Sequence, residues 1–220
     1  MRVGIVGTGA AGLCAIKHAI VSFGCDVIAF EQSDNIGGTW VYTEKTGKDK
    51  YGNDIHSSMY KGLHTNLPKE LMSFPDFPFP TQEKSFVAAS DVNQYLNHYA
   101  DSFNLRQFIK FETHVVRVRP LLDDTWEVMV KDVKDGRLQN YIFDAVFVCN
   151  GHFSTPYLPR FHSQKTFKGG QMHSHDYRKP QIFNDKSVLV IGGGPSGVDI
   201  SQEISGCAKK VFWSNHINPP

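Results

Sequence analysis

The apolar positions of this chain follow two periods, and their order predicts the architecture. Arg2–Val6 is a short β-branched run ending in glycine, as a buried strand does on entering a tight turn. Ala10–Phe23 reads as a helix with Leu13, Ile16 and Ile20 on one face, and Asp26–Phe30 as a second buried strand. Strand, helix and strand within about thirty residues predict a βαβ unit with parallel neighbours. Residues 32–85 are loop-rich and carry a Pro/Phe cluster at Phe74–Pro80, suited to core or channel lining. Ser90 is expected to cap a helix whose buried stripe is Val92, Tyr95, Leu96 and Tyr99. From Phe111 the period becomes two. His114–Arg119, Trp126–Lys131 and Gln139–Phe143 alternate, with Asp135-Gly136 as a turn, and predict an antiparallel meander inserted in the parallel fold. Ala145–Cys149 is a continuous apolar strand, and Pro156 and Pro159 mark a linker. Ser187–Ile191, a glycine loop, Ser196–Ile204 and Lys210–Ser214 then repeat the opening pattern.

Composition narrows the partners. The formal net charge is +1 and 40% of residues are hydrophobic, so the chain can bury a core and has no bulk field for nucleic acid. Cys14, Cys25, Cys149 and Cys207 form no C-x-x-C pair and share no zinc spacing with histidine. A reducing compartment fits, and Cys149, placed in a buried strand, is expected to be inert. His173 and His175 form an H-x-H with no third ligand at sensible spacing, so no metal is expected and His173 is read as a structural residue at a domain junction. Lys17 and His18 interrupt the apolar N-terminal run, which argues against a signal peptide, and no apolar stretch is long enough to span a membrane.

Two glycine fingerprints carry the chemistry. Gly7-Thr8-Gly9-Ala10-Ala11-Gly12 follows a strand and opens a helix. Gly7 permits the tight turn, Gly9 lets a pyrophosphate approach the backbone, and Gly12 lets helix and strand pack closely. Glu31 stands about 20 residues beyond, at the end of the next strand, where a carboxylate accepts ribose hydroxyls. Gly192-Gly193-Gly194-Pro195-Ser196-Gly197 repeats the motif after Val188–Ile191, with Ser196 a candidate phosphate donor at the helix start. Two such units point to two dinucleotides, one of which can be a bound flavin and the other a diffusing nicotinamide.

Beyond Glu31 comes Gly37-Gly38-Thr39-Trp40. Together with Leu63-His64-Thr65-Asn66-Leu67-Pro68, Val148-Cys149-Asn150-Gly151-His152 and Phe167-x-Gly169-x-x-x-His173-x-x-x-Tyr177, it resembles the flavin-containing monooxygenases, from residue 1 to about 217. Tyr177 favours that branch over the Baeyer–Villiger relatives, which usually carry Trp there. The resemblance implies an α/β fold: a Rossmann-like FAD-binding domain over residues 1–160 holding the meander, a linker over 161–182, and the start of a Rossmann-like NADPH-binding domain over 183–220. It implies FAD and NADPH as cofactors, with Gly7, Gly9, Gly12, Glu31, Gly38, Thr39 and Trp40 on FAD and Gly192, Gly194, Ser196 and Gly197 on NADPH. Asn66 matches the residue near the flavin's reactive edge, although an Asn before Leu-Pro is also an ordinary turn residue. The implied reaction is that of an N,N-dimethylaniline-type monooxygenase. A C4a-hydroperoxyflavin formed with O2 oxygenates a small-molecule amine or sulfide.

The chain departs from the family in two respects. The family places an arginine after the second unit's strand to bind the NADPH 2′-phosphate, and here the sequence reads Phe212-Trp213-Ser214-Asn215-His216. Members are also much longer, so the chain is expected to be a fragment without oxygenase activity that binds FAD weakly or not at all. Apolar surface is then expected around Val188–Ile191 and Val211–Trp213. A homodimer is expected for the full-length protein, in the cytoplasm or on the cytosolic face of the endoplasmic reticulum. Two alternatives stand beside this reading: a truncated, non-catalytic nucleotide-binding chain, and a flavin disulfide reductase, which the isolated cysteines disfavour.

Overall fold

The computed structural model describes residues 1–81 and 83–216. Strand β1 (Arg2–Val6) leads into helix α1 (Ala10–Val21) and strand β2 (Asp26–Phe30). A short helix α2 (Lys69–Met72) and the longer α3 (Ala89–Ser102) follow, then β3 (Ile109–Lys110). Next come β4 (Thr113–Pro120), β5 (Trp126–Asp132), β6 (Leu138–Phe143) and β7 (Ala145–Val148). After a long irregular crossing, β8 (Ser187–Ile191), α4 (Pro195–Ser205) and β9 (Lys210–Ser214) close the described chain. The sheets are parallel β3-β2-β1-β7, antiparallel β4-β5-β6 and parallel β8-β9.

Alternation along β1 and β2 decides the layers. Val3, Ile5, Val27 and Ala29 face a core shared with Leu13 and Ile16 of α1 and Tyr95, Leu96 and Tyr99 of α3. Phe30 and Ile28 point the other way and meet Val128, Val130 and Phe143 of the meander. The sheet is therefore covered on both faces, which explains its continuous apolar strands. Gly4 faces the meander, where a Cβ would come within 2.8 Å of the Phe143 ring. The phenylalanines of the Pro/Phe cluster are half-buried against the core: Phe79 stacks on Tyr95 with centroids 3.8 Å apart, and Phe74 and Phe77 pack on Tyr99.

Two local expectations need correction. α1 stops at Val21, ahead of the left-handed turn at Gly24, so Phe23 lies outside it and is exposed. The N-cap of α3 is Ala88, and Ser90 lies inside the helix. There the Asp91 carboxylate accepts the Ala88 amide hydrogen at 3.2 Å, replacing the cap that Ser90 was expected to make. Lys17 of α1 is buried, its ammonium paired with Asp76 and lying over the Phe103 ring. The two-stranded sheet has cover on one face only. Val188, Val190 and Val211 pack toward α4, while Leu189, Ile191 and Phe212 are exposed. Among the described residues no helix is long and apolar enough to cross a membrane.

The Gly4 contact yields a stability prediction. Gly4→Ala is expected to cost about 1–3 kcal/mol by forcing Phe143 off the sheet. Gly170→Ala, where a Cβ meets nothing within 4 Å, is expected to stay within about 0.5 kcal/mol of the parent. Urea denaturation of both variants checks the contrast, and equal midpoints would refute the packing account.

Candidate functional site

The first glycine turn is built by backbone. Gly7, at φ +91°, donates its amide hydrogen to the Phe30 carbonyl at 2.8 Å, and a Cβ there would come within 2.6 Å of the Cys149 carbonyl oxygen. A Cβ on Gly12 would collide with the Gly7 carbonyl, so helix and turn close on one another only through glycine. Gly9 is the N-cap of α1, and a Cβ on it would meet only the Gly38 backbone, at 3.7 Å. The site thus has an open floor at Gly9, a roof at Gly37-Gly38 and the amide end of α1 facing it, with no acidic side chain in the first helical turn. Asn93 of α3 secures the roof by donating to the Ile36 carbonyl at 3.2 Å. Thr39 is exposed, and Trp40 is half-buried against the core.

Glu31 is buried beside this turn. One carboxylate oxygen accepts the Thr8 amide at 3.0 Å and the Thr8 hydroxyl at 2.9 Å. The other accepts the Ser33 amide and hydroxyl, each at 2.9 Å. Four donors fix the carboxylate, and two of them are hydroxyls that can rotate toward another acceptor.

The second turn repeats the build. Gly192, at φ +125°, donates to the Ser214 carbonyl at 2.8 Å, and a Cβ on Gly197 would collide with the Gly192 carbonyl. Gly194 caps α4, with nothing within 4 Å of a Cβ position, and Ser196 is exposed on the first turn. The Trp213 indole donates to the Gly192 carbonyl at 2.8 Å. The two predicted sets form two separate turns. Asn66 belongs to neither: it is exposed on the loop that Thr65 and Leu63 tie to Val87 and Ala89. Among the described residues, no hydrogen bond joins it to either turn.

Sequence reasoning missed what links the turns. Arg178 is buried, and its guanidinium donates to the carbonyls of Lys45, Ser57, His175 and Tyr177 at 2.7–3.3 Å. Desolvation pulls its pKa below the ordinary arginine value. The Ser57 hydroxyl in turn donates to the carbonyls of Thr39 and Val41, at 3.1 and 2.8 Å. His173 accepts the His175 amide hydrogen at 3.0 Å, as expected of a structural residue. Tyr177 donates its hydroxyl to Glu203 of α4 at 2.5 Å, and Tyr60 donates to Asp199 one helical turn away. Burial and then the carboxylate partner raise both phenol pKa values well above the tyrosine range. Burial likewise raises the Cys149 thiol. Four free cysteines and no metal-holding cluster are found among the described residues.

Two glycine turns at the carboxyl ends of parallel strands, each opening a helix, place the chain in the α/β class in which such turns are dinucleotide sites. Its family follows from comparison: a family model described as flavin-binding monooxygenase-like matches residues 1–218, and the chain belongs to that family. FAD and NADP(H) are the cofactors that go with this membership. Flavin-containing monooxygenase 1 of Sus scrofa is 42% identical over 97% of this chain and 40% of its own length. Flavin-containing monooxygenase FMO GS-OX5 of Arabidopsis thaliana is 39% identical over 100% of this chain and 50% of its own. The solved S-allyl-L-cysteine S-oxygenase of Allium sativum matches with a TM-score of 0.89 at 37% identity, over 100% of this chain and 52% of its own. The chain spans about half the length of the relatives it matches.

The tyrosine–carboxylate contacts predict a localised effect. Tyr177→Phe leaves Glu203 without its hydroxyl donor and is expected to cost about 1–3 kcal/mol. Amide exchange should accelerate in α4 and remain unchanged in β1 and α1, as read by exchange mass spectrometry. Uniform acceleration across both regions would show that Tyr177 is general core rather than a link to α4.

Proposed function

We propose that this chain forms the FAD- and NADPH-binding half of a monooxygenase that transfers one oxygen atom of O2 to soft nitrogen or sulfur nucleophiles. Small amines and sulfides, of the N,N-dimethylaniline type, are the substrate class. The observation that carries this reading is the repeated turn. In both, the third glycine packs on the first glycine's carbonyl; a Cβ on the second would meet only the Gly38 backbone, at 3.7 Å, in the first turn and nothing within 4 Å in the second. The Allium sativum relative, named as an S-oxygenase, supports the sulfur side.

In this reading residues 1–160 form the FAD unit, 161–182 the connection and 183–220 the start of the nicotinamide unit. Gly7, Gly9 and Gly12 take the FAD diphosphate against the amide end of α1. Glu31 accepts the ribose hydroxyls as Thr8 and Ser33 turn their own aside, and Gly38, Thr39 and Trp40 cover the same ligand. Gly192, Gly194 and Gly197 take the NADPH diphosphate, with the Ser196 hydroxyl as a further donor. Bound flavin supplies the redox chemistry, passing electrons from NADPH toward O2. The protein's share is orientation and exclusion of water. Asn66, exposed on its loop, would supply an amide donor that holds oxygen or nicotinamide in place.

Gly9→Val separates the two sites. A Cβ at Gly9 makes only an ordinary contact with the Gly38 backbone, at 3.7 Å, so the variant is expected to fold, with the valine occupying the diphosphate position. Flavin fluorescence titration is expected to show FAD binding lost in Gly9→Val and kept in Gly194→Val, with nicotinamide binding weakened only in the latter. The reverse pattern overturns the assignment. In the whole protein, Asn66→Ala is expected to consume NADPH at an ordinary rate while product per NADPH falls and peroxide rises. Unchanged product yield would leave Asn66 a turn residue.

A further inference from the structure

The loop that carries Asn66 is an arch with two buried feet. The Leu63 carbonyl accepts the Ala89 amide hydrogen at 2.9 Å, His64 bridges Ala88, and Thr65 donates its amide hydrogen to the Val87 carbonyl at 2.8 Å. The two segments run antiparallel, and an unbroken ladder would next set Leu67 against Ser85. Lys69 stands there instead, its amide donating to the Ser85 carbonyl at 2.7 Å. The register slips by two residues, and Asn66-Leu67-Pro68 is pushed out between Thr65 and Lys69, with Asn66 and Leu67 exposed. Pro68 has no amide hydrogen to give the ladder, which permits the arch without fixing it. A slip of two leaves every side chain on its own face, so alternation does not choose between the arched and the flat register. The feet do. Thr65 and Lys69 are both buried. The Thr65 hydroxyl accepts the Val87 amide hydrogen at 3.1 Å. The Lys69 ammonium donates to the Lys84 carbonyl at 2.6 Å and pairs with the Glu70 carboxylate at 2.9 Å, which also accepts the Ser85 hydroxyl at 3.3 Å. Flattening the arch would draw a buried ammonium off these acceptors, which is costly.

We propose that Lys69, with Thr65 at the opposite foot, is a positioning residue for Asn66: the buried ammonium holds the arched register, which presents the Asn66 amide outside the ladder. The inference rests on reading Asn66 as the amide that holds oxygen or nicotinamide beside the flavin.

Amide exchange of the 220-residue chain tests the anchoring. In Lys69→Met, exchange at residues 65–69 and at Val87 is expected to rise about tenfold, with β1 and α1 unchanged. Thr65→Val should loosen the same residues from the other foot. In the whole protein, Lys69→Met is expected to keep its flavin and to consume NADPH. Product per NADPH should fall about threefold or more and peroxide rise, because a displaced group loses its alignment with the reacting atoms. The double variant of Lys69→Met and Asn66→Ala should be no worse than Asn66→Ala alone. Parent-like exchange, a parent-like product yield, or losses that add in the double variant overturn the proposal. Thr65→Val carries the same tests should Lys69→Met fail to fold. Exchange that rises while Asn66→Ala keeps the parent's yield refutes the reading of Asn66 itself and leaves the two feet as structure.

Discussion

Arg178 is buried with no carboxylate in its ion-pair range among the described residues, and a desolvated cation in that position is costly unless its donors are all used. Its guanidinium meets that demand with backbone carbonyls from two distant segments, at Lys45 and Ser57, and from its own His175–Tyr177 turn. Moving any one segment leaves a charged donor unsatisfied, so the three are locked in one arrangement. Ser57 passes the constraint to Thr39 and Val41, the trailing edge of the turn that roofs Gly9. Tyr177 passes it to Glu203 and so to the helix that carries the second glycine turn. The placement of one dinucleotide turn relative to the other depends on this hub.

Each turn is also internally constrained, by exclusion rather than attraction. The carbonyls of Gly7 and Gly192 sit where a Cβ on Gly12 or Gly197 would lie, so the first helical turn is pressed against the loop. That contact aims the free amides of the helix start at one point in space, which a diphosphate can occupy. Gly9 and Gly194 contribute only the absence of a side chain. The turns owe their shape to backbone bonds to Phe30 and Ser214, which places each ligand position at the end of its second strand.

Much of this was legible because it rests on local rules. Strand–glycine–helix order announced both turns, period-two alternation announced β4–β6, and the stripe Val92, Tyr95, Leu96, Tyr99 announced the buried face of α3. What could not be read is long-range and polar. Nothing local marks Arg178 as buried, since its partners are carbonyls, which every residue has. Asn93 and Ser57 act the same way, through backbone more than fifty and about sixteen residues distant. Tyr60 and Asp199 are separated by 139 residues, and their pairing follows only from packing. The burial of Lys17 is of the same kind: Asp76 and the Phe103 ring, both supplied by distant segments, receive its ammonium. Ser90 misled for a smaller reason: Asp91 bonds the Ala88 amide instead, one residue on.

The two turns differ in what surrounds them, and the difference bears on what each can hold. The first lies over a sheet covered on both faces, with Gly37-Gly38 above Gly9 and a carboxylate fixed by four donors beside it. A ligand entering there would meet groups already oriented, so little ordering is required on binding. The second lies on a two-stranded sheet covered on one face, with an uncapped space above Gly194 and neutral side chains at the strand end. The Trp213 indole braces it from the side. Pre-organisation favours slow release, and its lack favours exchange. This contrast supports the first turn as the seat of a resident flavin and the second as a station for a dinucleotide that must leave after giving up its electrons.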